Sequence, residues 1–182
     1  MKRNVLLVDF GDTGAEAEAI RQTLECFDYY VLKLPVGRPN DLIEILDGSA
    51  DHFEYNYLIL SCHGASGVDD GKILMPILHE DCYLDGEPRS HFGGEQIAAY
   101  NGLEHKVIIS TGCSTGKDDS MIAAFSGDHN NIFIAPNDDP EGSSTLHFVQ
   151  SFFYHLKNAD TKTAFERACR TDCETAMFKM YS

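Results

Sequence analysis

The chain has 182 residues, 43% of them hydrophobic and 10% aromatic, enough to bury a sizeable core within the usual span of one domain covering residues 1–182. Fourteen lysines and arginines stand against 29 aspartates and glutamates, a formal charge of −15 and a pI near 4.7. That balance argues against nucleic acid or anionic membrane as partners and favours a basic one, beside its general value as a solubilising surface.

Met1-Lys2-Arg3 is basic, but the apolar run that follows ends at Asp9, so neither an export signal nor a membrane span is expected. The six cysteines (Cys26, Cys62, Cys82, Cys113, Cys169, Cys173) form no CxxC pair. Reduced thiols in a cytoplasm are the expectation, with no metal and no cofactor.

Val5-Leu6-Leu7-Val8 reads as a first strand. Thr13 with Glu16 has the spacing of a capping box, and Ala17, Ile20, Leu24 and Phe27 then fall on one helical face. Residues 29–34 read as a second strand. Gly37 and Pro39 mark a turn, and residues 41–46 a short helix with Ile43 and Leu46 inward. Tyr57-Leu58-Ile59-Leu60 and Val107-Ile108-Ile109 are continuous apolar runs, as strands covered on both faces should be. Between them, residues 67–94 are rich in glycine, acid and proline, and predict a projecting segment with a hairpin over residues 73–84. Ile132-Phe133-Ile134-Ala135 is a further strand, and helices over residues 143–157 and 161–177 close the chain. The alternation predicts an α/β fold, a doubly wound and mostly parallel sheet with helices on both faces.

In such sheets ligands bind beyond the carboxyl ends of the strands. There the sequence places Ser61-Cys62-His63-Gly64 after one central strand and Ser110-Thr111-Gly112-Cys113-Ser114-Thr115-Gly116 after the other. A thiol and an imidazole are thereby expected side by side although 50 residues apart in sequence. The imidazole takes the thiol proton and returns it to a leaving amine. Gly64 and Gly112 allow close backbone approach, so the N–H groups of Gly64 and Cys113 are candidate oxyanion donors.

That spacing is the one caspases show between histidine and cysteine. Together with Ala123-Ala124-Phe125 before Ile132-Phe133-Ile134-Ala135-Pro136, Phe152-Phe153-Tyr154-His155-Leu156 and Thr163-Ala164-Phe165-Glu166-Arg167-Ala168, the motifs resemble the CHAT branch of caspase-like peptidases over residues 57–170. Before Tyr57 only the strand and helix pattern agrees. The resemblance implies Cys113 as nucleophile, His63 as general base and acid, and Gly64 with Cys113 as oxyanion donors in a cysteine endopeptidase. It also implies a peptide or protein substrate and a separate sensor or regulatory protein. The sequence departs from caspases in lacking Gln-Ala-Cys-Arg-Gly around Cys113. Near the first strand end, where caspases hold an arginine for a substrate aspartate, it has Asp9 and Asp12. Asp138 and Asp139 lie past a later strand. Related peptidases of the separase, gingipain and metacaspase type use an acidic pocket, so Asp12, Asp138 and Asp139 are the candidates for binding lysine or arginine before the cut.

Two other readings stay open. Gly112-Cys113-Ser114-Thr115-Gly116 also fits the Gly-x-Ser-x-Gly elbow of serine hydrolases, with Ser114 as nucleophile and Asp139 and His147 following in order. A catalytically silent caspase-like module, acting by binding or regulation, is the other.

Overall fold

The computed structural model describes residues 3–49, 53–65, 71–89, 91–127 and 129–182. Its sheet has six strands: β1 (Asn4–Asp9), β2 (Tyr30–Pro35), β3 (Tyr57–Ser61), β4 (Val107–Ser110), β5 (Ile132–Pro136) and β6 (Phe178–Tyr181), in the order β2-β1-β3-β4-β5-β6. The first five are parallel, and β6 runs antiparallel to β5. The chain leaves β1 for the β2 edge and returns to β3 on β1's other side. This reversal opens a crevice at the strands' carboxyl ends, where doubly wound sheets bind ligands.

Helices cover both faces. On one, α1 (Gly14–Cys26), α5 (Gly142–Leu156) and α6 (Thr161–Ala168) bury Ile20, Leu24, Phe148, Phe152, Phe153 and Ala164 against Val5, Leu7, Ile59, Ile109 and Ile134. On the other, α2 (Pro39–Leu46), α3 (Gly94–Tyr100) and α4 (Asp119–Ser126) bury Leu42, Leu46, Ile97, Met121 and Phe125 against Leu6, Val8, Leu58, Leu60 and Phe133. The central strands are apolar on both sides because both sides are covered. Among the described residues no helix is long and apolar enough to cross a membrane.

Several sequence expectations are corrected. Thr13 and Glu16 do not form a capping box. The Thr13 hydroxyl donates to the Ser61 carbonyl at 2.6 Å, and Glu16 Oε1 accepts from the Ser61 hydroxyl at 2.8 Å, so both side chains turn to the end of β3. In α2, Leu42, Ile45 and Leu46 are inward and Ile43 only partly so, because the helix starts at Pro39. Residues 73–84 form no hairpin. Ile73 instead bridges Gly64 and Phe92, and a 3-10 turn spans Glu80–Cys82. Residues 67–70 and 90 of the expected projecting segment lie outside the described residues. The last helix ends at Ala168 rather than near 177, and β6 follows.

Candidate functional site

Pairing of β3 with β4 sets Tyr57 beside Val107 and Leu60 beside Ser110. Beyond the paired residues, the Cys62 N–H donates to the Thr111 hydroxyl at 3.1 Å, keeping the two strand ends together. The approach then tightens. A side-chain carbon on Gly64 would fall 1.8 Å from the Cys113 carbonyl oxygen and 2.7 Å from its nitrogen. Only glycine permits that contact, which fixes the residue after His63 against the backbone of Cys113.

The loop carrying Cys113 is held from the β5 side. The Ser114 N–H donates to the Asp138 carbonyl at 2.9 Å and the Gly116 N–H to the Pro136 carbonyl at 2.8 Å. The Tyr181 hydroxyl at the end of β6 donates to the Gly116 carbonyl at 2.5 Å. Ser114 takes a left-handed backbone with φ +56°, a conformation disfavoured for a side-chain-bearing residue and found at sharp strand-to-helix turns. That turn lifts Cys113 out of the strand, leaving it half-buried while Ser114 is 1% exposed.

Cys113 and His63 line one narrow cleft of about 120 Å³, together with Thr13, Glu16, Thr111, Pro140 and Thr145. Glu16 is the acid of this lining. Burial raises its carboxyl above the ordinary glutamate value; the Ser61 and Thr111 hydroxyls and attraction to His63 pull it partly back. The Cys113 thiol faces the Pro140 carbonyl, with sulfur and oxygen 3.9 Å apart. Burial first, and the Asp139 charge second, push the Cys113 pKa up. The cleft thus has a thiol and an imidazole in one lining, with burial and the Asp139 charge favouring the protonated sulfur.

The other sequence candidates separate. Asp12 is exposed and lines a different cavity, which shares His63 but not Cys113. Asp139 Oδ1 accepts from the Ser114 hydroxyl at 2.8 Å, and Asp138 Oδ1 accepts from the Asp139 N–H at 3.1 Å. Ser114 therefore meets a carboxylate directly, whereas His147 lies on α5, lining a hollow with Thr23, Phe27 and Tyr154. Cys62 also lines the Cys113 cleft but is 3% exposed, against the Ser110 hydroxyl, and burial pushes its thiol up to about 12. A larger hollow of about 530 Å³ beside β6 touches neither His63 nor Cys113.

Glu16 was missed as a site residue because its spacing from Thr13 matched a helix cap. The signal that finds it is its stripe: Glu16, Ile20 and Leu24 recur every four residues, putting a carboxylate on the face of α1 that turns to the sheet. A charge on an inward stripe at a ligand-binding edge is a functional mark.

No family model matches the chain, and no curated protein matches it. Among solved structures, it resembles the Arg-specific cysteine proteinase gingipain R (RgpB), with a TM-score of 0.57 and 12% identity over 97% of this chain and 44% of that one. A complex of the pro- and mature domains of Porphyromonas gingivalis RgpB gives a TM-score of 0.57 and 11% identity over 97% of this chain and 45% of that one. The chain spans less than half the length of these proteins. At such identity the likeness is one of fold: an α/β, mostly parallel six-stranded sheet of the caspase-like type.

Proposed function

We propose that the chain is a caspase-like cysteine endopeptidase of the CHAT type that cuts after lysine or arginine. The observation that carries this reading is the shared cleft, lined by Cys113, His63 and one half-buried acid, Glu16, where the Gly64 backbone packs on Cys113. His63 takes the Cys113 proton, and the thiolate adds to the scissile carbonyl. The N–H groups of Gly64 and Cys113 face the developing oxyanion. The imidazolium proton then passes to the leaving nitrogen, the C–N bond breaks, and an acyl thioester remains on Cys113. Water, deprotonated by His63, adds to the thioester, and its collapse releases the acid and restores the thiol.

Of the acids at this edge, Glu16 is the one inside the cleft with both partners, so it takes the basic side chain in this reading. Asp12 lines a separate cavity that includes His63 but not Cys113, and Asp138 and Asp139 brace the Cys113 loop. A bound ammonium or guanidinium draws Glu16 into its ionised form, because an adjacent cation offsets the burial that raises it. The six cysteines are free thiols, as a reducing cytoplasm would keep them. A peptide or protein is the substrate, and a separate sensor or regulatory protein belongs to the same reading.

The protonated sulfur facing Pro140 favours a second reading, a caspase-like module without activity. A thiol-reactive peptide ending in lysine or arginine separates the two. Labelling of Cys113 that is lost in Cys113→Ala and weakened in Glu16→Gln supports the peptidase. No labelling anywhere between about pH 6 and 9 supports the silent module, since a thiolate is populated in that range at reactive cysteines.

A further inference from the structure

His63 is a wall of two cavities. One is the cleft it shares with Cys113 and Glu16. The other, of about 370 Å³, shares His63 but not Cys113 and is lined by Phe10, Asp12, the strap of residues 74–77 and His91. The strap is tied in place at two points. The Leu74 N–H donates to the His63 carbonyl at 2.9 Å, and the Met75 N–H donates to His91 Nδ1 at 3.1 Å. The cavity wall is therefore tied to the His63 backbone. Its walls are Phe10, Leu74, Met75, Pro76 and Ile77, and Ile77 is 91% exposed, an aliphatic side chain held open to solvent at the rim.

From this we infer a subsite for the residue that follows the cut, one selecting a bulky apolar side chain. The inference rests on the peptidase reading above. In that reaction the acyl half stays on Cys113, so it occupies the cleft that contains Cys113. The leaving half begins with the nitrogen that His63 protonates, so its first residue lies along His63 on the side away from Cys113. The cavity there is mostly apolar, and an entering leucine, methionine or phenylalanine would cover the exposed Ile77 side chain. Asp12 stands in the same lining as a carboxylate and opposes an acidic residue. His91, whose Nδ1 is occupied as an acceptor, keeps its other ring nitrogen for donation to a substrate carbonyl.

The test is a set of peptides identical up to a lysine before the cut and followed by leucine, phenylalanine, glycine or aspartate. It runs beside an aminocoumarin amide of the same acyl half, which has no residue after the cut. We expect kcat/KM for the leucine and phenylalanine peptides to exceed that for the aspartate peptide by about 10-fold or more. In Ile77→Asp the leucine-to-aspartate ratio falls toward one. An aminocoumarin amide cleaved normally while all four peptides are cut alike, or glycine and aspartate are preferred, overturns the subsite. If the wild-type chain cleaves neither amide nor peptides, the peptidase reading itself falls, and the subsite with it.

Discussion

A carboxylate beside a thiol favours the protonated sulfur, and Asp139 stands in that relation to Cys113 while accepting the Ser114 hydroxyl. Asp139→Asn keeps an acceptor for Ser114 and removes the charge. We expect the midpoint of iodoacetamide alkylation at Cys113 to move to lower pH in this variant. The shift is partial, because burial is the larger cause and stays; an unmoved midpoint would show that burial alone sets it. Glu16 gives a second test, on stability. Its carboxyl is raised in the folded chain, so between the ordinary glutamate pKa and the folded value the unfolded chain binds fewer protons. The stability tied to the protonated carboxyl is complete below that window and is lost as pH rises through it. Glu16→Gln has no such loss, and its Gln can still accept from Ser61. The Tm of the variant relative to the parent should therefore grow with pH across the window, by about 2–4 °C for each kcal/mol in a chain of this size. A Tm difference that stays flat with pH would contradict the buried carboxyl.

At the level of elements, the sequence showed most plainly what is buried on two faces. The runs over residues 5–8, 57–60, 107–109 and 132–135 within β1, β3, β4 and β5 are apolar without interruption, as strands covered on both faces are. That His63 and Cys113 meet in one cleft was legible for the same reason, since each lies two or three residues past one of those strands. What was not legible depends on pairing distant in sequence. Phe178-Lys179-Met180-Tyr181 carries too short a pattern to mark a strand, and β6 exists because β5 offers it an edge. The helix before it stops early because Asp172 accepts from the N–H groups of Glu174 and Thr175, a local turn that competes with helical bonding. Helix α3 begins within Gly93-Gly94, a pair that reads as loop. β6 also reaches the site: its Tyr181 hydroxyl donates to the Gly116 carbonyl, three residues past Cys113. Tyr181→Phe should cost about 0.5–1.5 kcal/mol and lower kcat more than it raises KM, since it loosens the loop and leaves the cleft lining intact. Thermal melts and steady-state kinetics on a lysine amide read both; a change in KM alone would place the effect in substrate binding instead.

For the molecule as a whole, a formal charge of −15 acts on folding and on binding with opposite sign. Like charges repel in the compact chain, and added salt screens that repulsion, since the Debye length falls from about 10 Å at 0.1 M to about 3 Å at 1 M. Tm should accordingly rise as sodium chloride increases over this range. If the chain takes basic peptides as proposed, the same field draws them toward the crevice at the carboxyl ends of β1, β3 and β4, where Glu16 lines one cavity and Asp12 another. Screening removes that attraction, so kcat/KM for a lysine or arginine peptide should fall over the same salt range, chiefly through a rise in KM. A neutral alkylating agent such as iodoacetamide has no charge to be steered and should react with Cys113 at a rate that changes far less. Stability rising while capture of basic substrate declines, in one titration, is the behaviour expected of an acidic domain whose charge serves recognition as well as solubility. If both quantities move together with salt, the surface charge is a solubility device alone, and selection of a basic residue must come from the cleft by itself.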